Sequence, residues 1–128
     1  MKSLKKILLS LVIAASAGTF STATLAENDP GRIVYKPEEA IELVVGKIQV
    51  AIDGITKGAS GDEAAALIKA ASDFSKEINA NDKVDNARAK ANRKLKSAAA
   101  HAKESALQEA EQELKAAKED FAKLKSLI

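Results

Sequence analysis

The sequence predicts an all-α protein, a small antiparallel four-helix bundle built from two helical hairpins. Three observations carry that expectation. From Pro37 to Ile128 the large apolar residues recur at steps of three and four, which places them on one face of a helix. Short polar or glycine-containing stretches at 58–61 and 79–82, and a change of phase near Ser105, cut this pattern into four pieces. The chain has no cysteine, so no disulfide or thiolate metal site is available and a small domain must rest on helix packing.

The elements follow in order. Lys2, Lys5 and Lys6 precede an apolar run from Ile7 to Ala17, and small and hydroxyl residues then lead to Ala26. That order predicts a secretory signal over residues 1–26, cleaved after Ala26. The apolar run is about half the roughly twenty residues that a membrane span needs. Residues 1–26 hold three lysines and no acid, so their removal takes the formal charge from +2 to −1 (+2 − 3). The apparent basicity therefore belongs to the leader, and the remaining balance argues against a nucleic-acid partner. A lysine-rich leader without a cysteine to lipidate predicts a bacterial periplasmic or secreted location with no transmembrane segment.

Residues 27–36, with Pro30, Gly31, Ile33, Val34 and Tyr35, read as an extended N-terminal arm, and residues 37–128 as the helical domain. Pro37 suits the first position of a helix, and Glu38 and Glu39 complement the helix dipole there. Ile41, Val44, Ile48, Ile52 and Ile55 form the apolar face of this first helix. Gly58-Ala59-Ser60-Gly61 ends it, and Ser60 with Glu63 has capping-box spacing at the start of the second. The second helix aligns Ala64, Leu67, Ala71, Phe74 and Ile78. Asn79 to Asp82 stop it, with Asp82 expected to cap the third.

The third helix places Val84, Ala87, Ala91, Leu95, Ala98 and Ala102 on one face. With few large side chains it is expected to be the loosest. The fourth aligns Leu107, Ala110, Leu114, Ala117, Phe121, Leu124 and Ile128, supported by Glu111–Lys115 and Glu119–Lys123 pairs four residues apart. From Ala102 to Leu107 the step is five, which predicts a break near Ser105, itself in capping-box spacing with Gln108. Since no glycine or proline enforces that break, one continuous helix from about Lys83 to Leu127 is the alternative. The halves also align at an offset of 47, matching Ile48 with Leu95, Leu67 with Leu114 and Phe74 with Phe121. This suggests a duplicated hairpin, although amphipathic helices align in this way without common descent.

His101 is the only histidine. Ser97 and Ser105 stand four residues either side, but no glycine elbow or oxyanion loop accompanies them, so the expectation is a protein that is not an enzyme. As a metal site, His101 would take Glu104, three residues on, as its partner. Its place at the edge of the apolar face suits a solvated side chain as well. Lys90, Arg93, Lys94 and Lys96 form the centre of a basic run from Lys83 to Lys103. That run either pairs with acidic neighbours in the bundle or offers a basic face to an anionic envelope ligand.

With Gly58-Ala59-Ser60-Gly61 ahead of Leu67 and the unit His101-Ala102-Lys103-Glu104-Ser105, the chain resembles the small periplasmic metal-binding proteins, short alanine-rich, histidine-studded four-helix bundles. The resemblance implies an exported bundle over residues 37–128 and divalent-metal binding through histidines. Asp62 stands where the family's pattern would have a histidine, so only His101 carries over.

Together these readings predict an exported, non-enzymatic envelope protein with a binding or scaffolding role, sequestering a metal ion or an anionic ligand. The alternatives are a coiled-coil protein that assembles with itself or another protein through the fourth helix's seam, and a small hydrolase.

Overall fold

The computed structural model describes residues 34–128, so the expected leader and all of the expected arm up to residue 33 lie outside the described residues. Tyr35–Ile128 form one compact unit. Its elements are α1 (Pro37–Thr56), α2 (Gly61–Phe74), α3 (Asp82–Lys103) and α4 (Leu107–Lys123). One-turn 3-10 segments at Ser75–Glu77 and Leu124–Leu127 follow α2 and α4. The fold is all-helical, with the four helices packed against one another.

The starts of α1, α2 and α3 and the ends of α1 and α3 have identifiable causes. Pro37 opens α1, with Glu38 and Glu39 in its first turn. Ser60 caps α2 as expected: the Glu63 amide donates to the Ser60 hydroxyl at 3.1 Å, and the Ser60 amide donates to the Glu63 carboxylate at 3.0 Å. The cap of α3 is Asn81 rather than Asp82. The Asn81 side-chain oxygen accepts from the Val84 amide at 2.9 Å, while its amide nitrogen donates to the Leu127 carbonyl at 3.0 Å. A carboxylate has no such donor, so asparagine both caps α3 and ties it to the end of the chain.

The third and fourth helices are separate, which removes the continuous-helix alternative. Ser105 adopts φ +63°. Ser105 then donates to the Ala102 carbonyl at 2.9 Å, and Ala106 to that of His101 at 2.8 Å, the paired bonds of a Schellman ending. Ser105 therefore marks the break as the left-handed residue that ends α3. It does not cap α4, whose N-cap is Ala106 without a side-chain bond. The end of α1 is built in the same way around Gly58, φ +98°, with Gly58 donating to Ile55 and Ala59 to Gly54.

The core is aliphatic and alanine-rich. Ile41, Val44, Ile48, Ile68, Ile78, Val84, Leu95, Leu114, Phe121 and Leu124 are fully buried among Ala40, Ala51, Ala64, Ala71, Ala91, Ala98, Ala102, Ala110 and Ala117. The buried face of α2 keeps Ala64 and Ala71 of the expected seam, and Ile78 beyond the helix is buried too, but the rest differs. The face runs through Ala64, Ala65, Ile68, Ala71 and Ser72, while Leu67 and Phe74 are only partly buried at its flank. Small residues at the centre let α2 approach its neighbours. The bulky Leu67 packs over Gly54, and Phe74 meets Tyr35 edge to face at 5.2 Å. At the start of α2, Gly61 lies so close to the Ala102 carbonyl that a Cβ there would stand 2.2 Å from its oxygen.

This rotation also changes the internal match between the halves. Gly58 and Ser105, the two left-handed residues, are 47 apart, as are the buried pairs Val44 and Ala91, Ile48 and Leu95, and Ala51 and Ala98. In α2 and α4 the buried pairs are 46 apart: Ala64 and Ala110, Ile68 and Leu114, Ala71 and Ala117. The α3–α4 connection is one residue shorter than the α1–α2 connection, which accounts for the difference.

Both α1 and α3 pack against α2 and α4, so α1 and α3 occupy opposite corners of the bundle. The α3 seam, poor in large residues, is nevertheless buried from Val84 to Ala102, with Ala87 partly covered. Ala110, Leu114, Ala117, Phe121 and Leu124 are likewise buried within this chain, so the α4 seam is occupied by its own neighbours.

Candidate functional site

His101 sits in the last turn of α3, at the edge of the buried face, and the structure gives it a partner across the helix interface. Its Nδ1 lies 2.7 Å from the Glu113 Oε1 on α4. The other Glu113 oxygen accepts from the Ser97 hydroxyl at 2.7 Å. The carboxylate thus stands between the hydroxyl and the imidazole. In a nucleophilic triad the imidazole stands between the other two, so that it can take the hydroxyl proton. Ser105, beyond the end of α3, is not on the face of His101.

Acceptance of the ring N–H by the Glu113 carboxylate raises the His101 pKa above its ordinary value. Burial opposes this, and the charges of Glu113, Glu104 and Glu109 add to the rise. Glu104 therefore acts on His101 only through its field. It is the exposed C-cap residue of α3 and makes no bond to the ring. Glu113, not the expected Glu104, is the carboxylate that meets the ring. The missing signal was the neighbour: Glu113 directly precedes the buried Leu114, at the edge of the α4 seam, as His101 stands at the edge of the α3 seam. Among the described residues, no group of three or more His, Cys, Asp and Glu side chains is arranged to hold a metal ion.

Lys90, Arg93, Lys94 and Lys96 are all exposed on α3, but they do not share one surface. Lys94 reaches α4 and pairs with Asp120. Lys90 borders a shallow recess with Asp120, Lys123 and Leu127. Lys96 turns to the other side, toward α2. Arg93 lies between them on the outermost ridge, opposite the buried Ala91 and Ala98 by helical period.

On the α2 side, Lys96 contributes to an open groove of about 530 Å³. Its floor is apolar, with Ala65 and Ala66 of α2 and Leu95 and Ala99 of α3. Lys69, Lys96 and Lys103 stand around it with Asp62 and Asp73. Lys69 donates to the Asp73 carboxylate at 2.8 Å and holds its pKa down, opposed by burial and helped by Lys76 and Lys96. Deeper between the helices the Ser72 hydroxyl donates to the Asn92 side-chain oxygen at 2.6 Å. Sequence periodicity had no means of finding this groove, because it depends on alanines from two helices lying side by side.

No described helix is long and apolar enough to cross a membrane. Compared with protein-family models, curated proteins and solved structures, the chain matches none of them.

Proposed function

We propose that this is an exported, non-enzymatic binding protein of the cell envelope, an antiparallel bundle of two hairpins that takes an anionic amphiphile along the groove between α2 and α3. One observation carries this reading: the apolar floor of Ala65, Ala66, Leu95 and Ala99, with Lys69, Lys96 and Lys103 around it. An acyl chain needs the floor, and a phosphate or carboxylate head needs the lysines, of which Lys69 is already engaged by Asp73. The brief connections at 57–60 and 104–106 support the antiparallel hairpins. The basic, apolar and small-residue order of residues 1–26 supports export.

Amide chemical shifts of the chain beginning at Glu27, titrated with dodecyl phosphate and with zwitterionic dodecylphosphocholine, test the reading. Shifts at Ala66, Lys96 and Ala99 with the phosphate are expected, weakened about tenfold or more by Lys96→Glu with Lys103→Glu, a loss of ~1.4 kcal/mol. Equal response to both detergents, or none at α2 and α3, overturns it. Mass spectrometry of the exported fraction should find a chain that starts at Glu27.

A second reading is weak divalent-metal capture at His101, favoured by the Glu113 carboxylate 2.7 Å from its ring nitrogen. Calorimetric titration with copper, nickel and zinc that shows nothing tighter than about 0.1 mM removes it.

A further inference from the structure

We infer that the outer face of α1 docks onto the outer face of α3 in a second copy of this chain, so that molecules associate head to tail. The inference is independent of the groove. It begins with an exposed apolar strip: Leu43 and Val50 on α1 are 42% and 54% exposed, and Gly46 lies between them with open space where a side chain would be. The steps of three and four put these residues on one solvent-facing ridge. Glycine in a helix interior is unfavourable, and nothing in this chain's own packing requires one at 46. An approaching helix would.

The occupant follows from charge and position. In α1, Glu38, Glu39, Glu42 and Asp53 outnumber Lys47 four to one. In α3 the basic residues outnumber Asp82 and Asp85 seven to two, with Lys94 already held by Asp120 and Lys96 and Lys103 turned toward α2. The acids Glu39 and Asp53 flank the Leu43–Val50 strip and are exposed, as is Glu42, which Lys125 of the same chain already pairs at 2.8 Å. The outer surface of α3 presents exposed Arg93, with Lys90 toward its α4 side, and exposed Ala89, whose small side chain leaves room for an approaching apolar residue. Two α1 faces would bring like charge together, whereas α1 against α3 brings opposite charge together. Because α1 and α3 occupy opposite corners, the two faces cannot meet within one molecule. Both remain available after one contact forms, so the association is heterologous and continues beyond a pair.

Sedimentation equilibrium of the chain from Glu27 tests this, with folding of each variant confirmed by circular dichroism. In about 20 mM salt the average mass of the wild type should rise past that of a dimer as its concentration approaches about 1 mM, and about 0.5 M salt should return it to a monomer. Leu43→Lys with Val50→Lys removes one face, and Lys90→Glu with Arg93→Glu removes the other. Each variant alone should be at least tenfold weaker in association. An equal mixture of the two should form a heterodimer and stop there, since each supplies the face the other lacks. A wild type that stays monomeric overturns the inference. So does a Lys90→Glu, Arg93→Glu variant that associates like the wild type, the outcome expected if α1 paired with α1.

Discussion

Ser105 holds φ +63° without being glycine, and the two bonds that end α3 depend on that conformation. A left-handed backbone costs a residue with a Cβ roughly 1–2 kcal/mol. Ser105→Gly should therefore raise unfolding free energy by about 1 kcal/mol, offset slightly by the freer unfolded chain, in a urea melt. At Gly58, φ +98°, the reverse change to alanine should lower it. His101 gives a second test at this scale. Its folded pKa is raised, chiefly by the Glu113 hydrogen bond, so the stability it contributes is fully present below its unfolded pKa of about 6.5 and fades as pH rises through the folded value. A proton-NMR titration should place the His101 midpoint above 6.5 in the wild type and lower it in Glu113→Gln. The stability difference between the two proteins should be larger at pH 6 than at pH 9. A midpoint unchanged by Glu113→Gln would mean that the carboxylate does not set it.

Each helix shows how far periodicity reaches. The α1, α3 and α4 faces were legible because their large residues point where their neighbours are: Ile41, Val44, Ile48, Leu95, Leu114 and Phe121 are all buried. The expected α2 seam holds at Ala64, Ala71 and Ile78, but where periodicity places the large Leu67 and Phe74 in the core, packing places Ala65, Ile68 and Ser72. Periodicity weighs side-chain size, but close approach rewards its absence, as Gly61 against the Ala102 carbonyl also shows. The same limit hid the site. Glu113 and the alanine-floored groove belong to pairs of helices, and a single helix read alone contains neither. Within α4, the Glu111–Lys115 pair forms at 3.2 Å as its spacing suggests, whereas Glu119 and Lys123 do not close. In α1 the unsupported glycine makes a prediction about the helix itself. Gly46→Ala meets nothing within 4 Å and should stabilise the monomer by about 0.5–1 kcal/mol, measured by thermal unfolding in high salt. A loss of stability would show that position 46 is constrained inside the chain.

Across the whole molecule, the two halves relate by one shift before the connections and another after them. Gly58 and Ser105 keep the offset of 47, while Ile68 answers to Leu114, and Ser75 to Phe121, at 46. Ser75 is 1% exposed, and its hydroxyl turns back to the Ser72 carbonyl at 2.6 Å. The shorter connection thus sets a small residue, at the start of the 3-10 turn after α2, at the level where α4 carries its one fully buried aromatic ring. Stability is therefore unevenly distributed between the halves, and matched truncations will show it. A unit of this size has only about 5–14 kcal/mol of net stability. Phe121→Ala, at a fully buried site, should cost about 3–5 kcal/mol, a large share of that total. Phe74→Ala, which loses the edge contact with Tyr35 at a partly exposed site, should cost about half as much or less. The adjacent pair in α2 separates the two offsets directly. If 46 is the structural register, Ile68→Ala should cost about 2–5 kcal/mol and clearly more than Leu67→Ala. If denaturant melts instead find Leu67 the costlier residue, then the α2 seam follows the offset of 47, and the rotation that lets its alanines face the core is wrong.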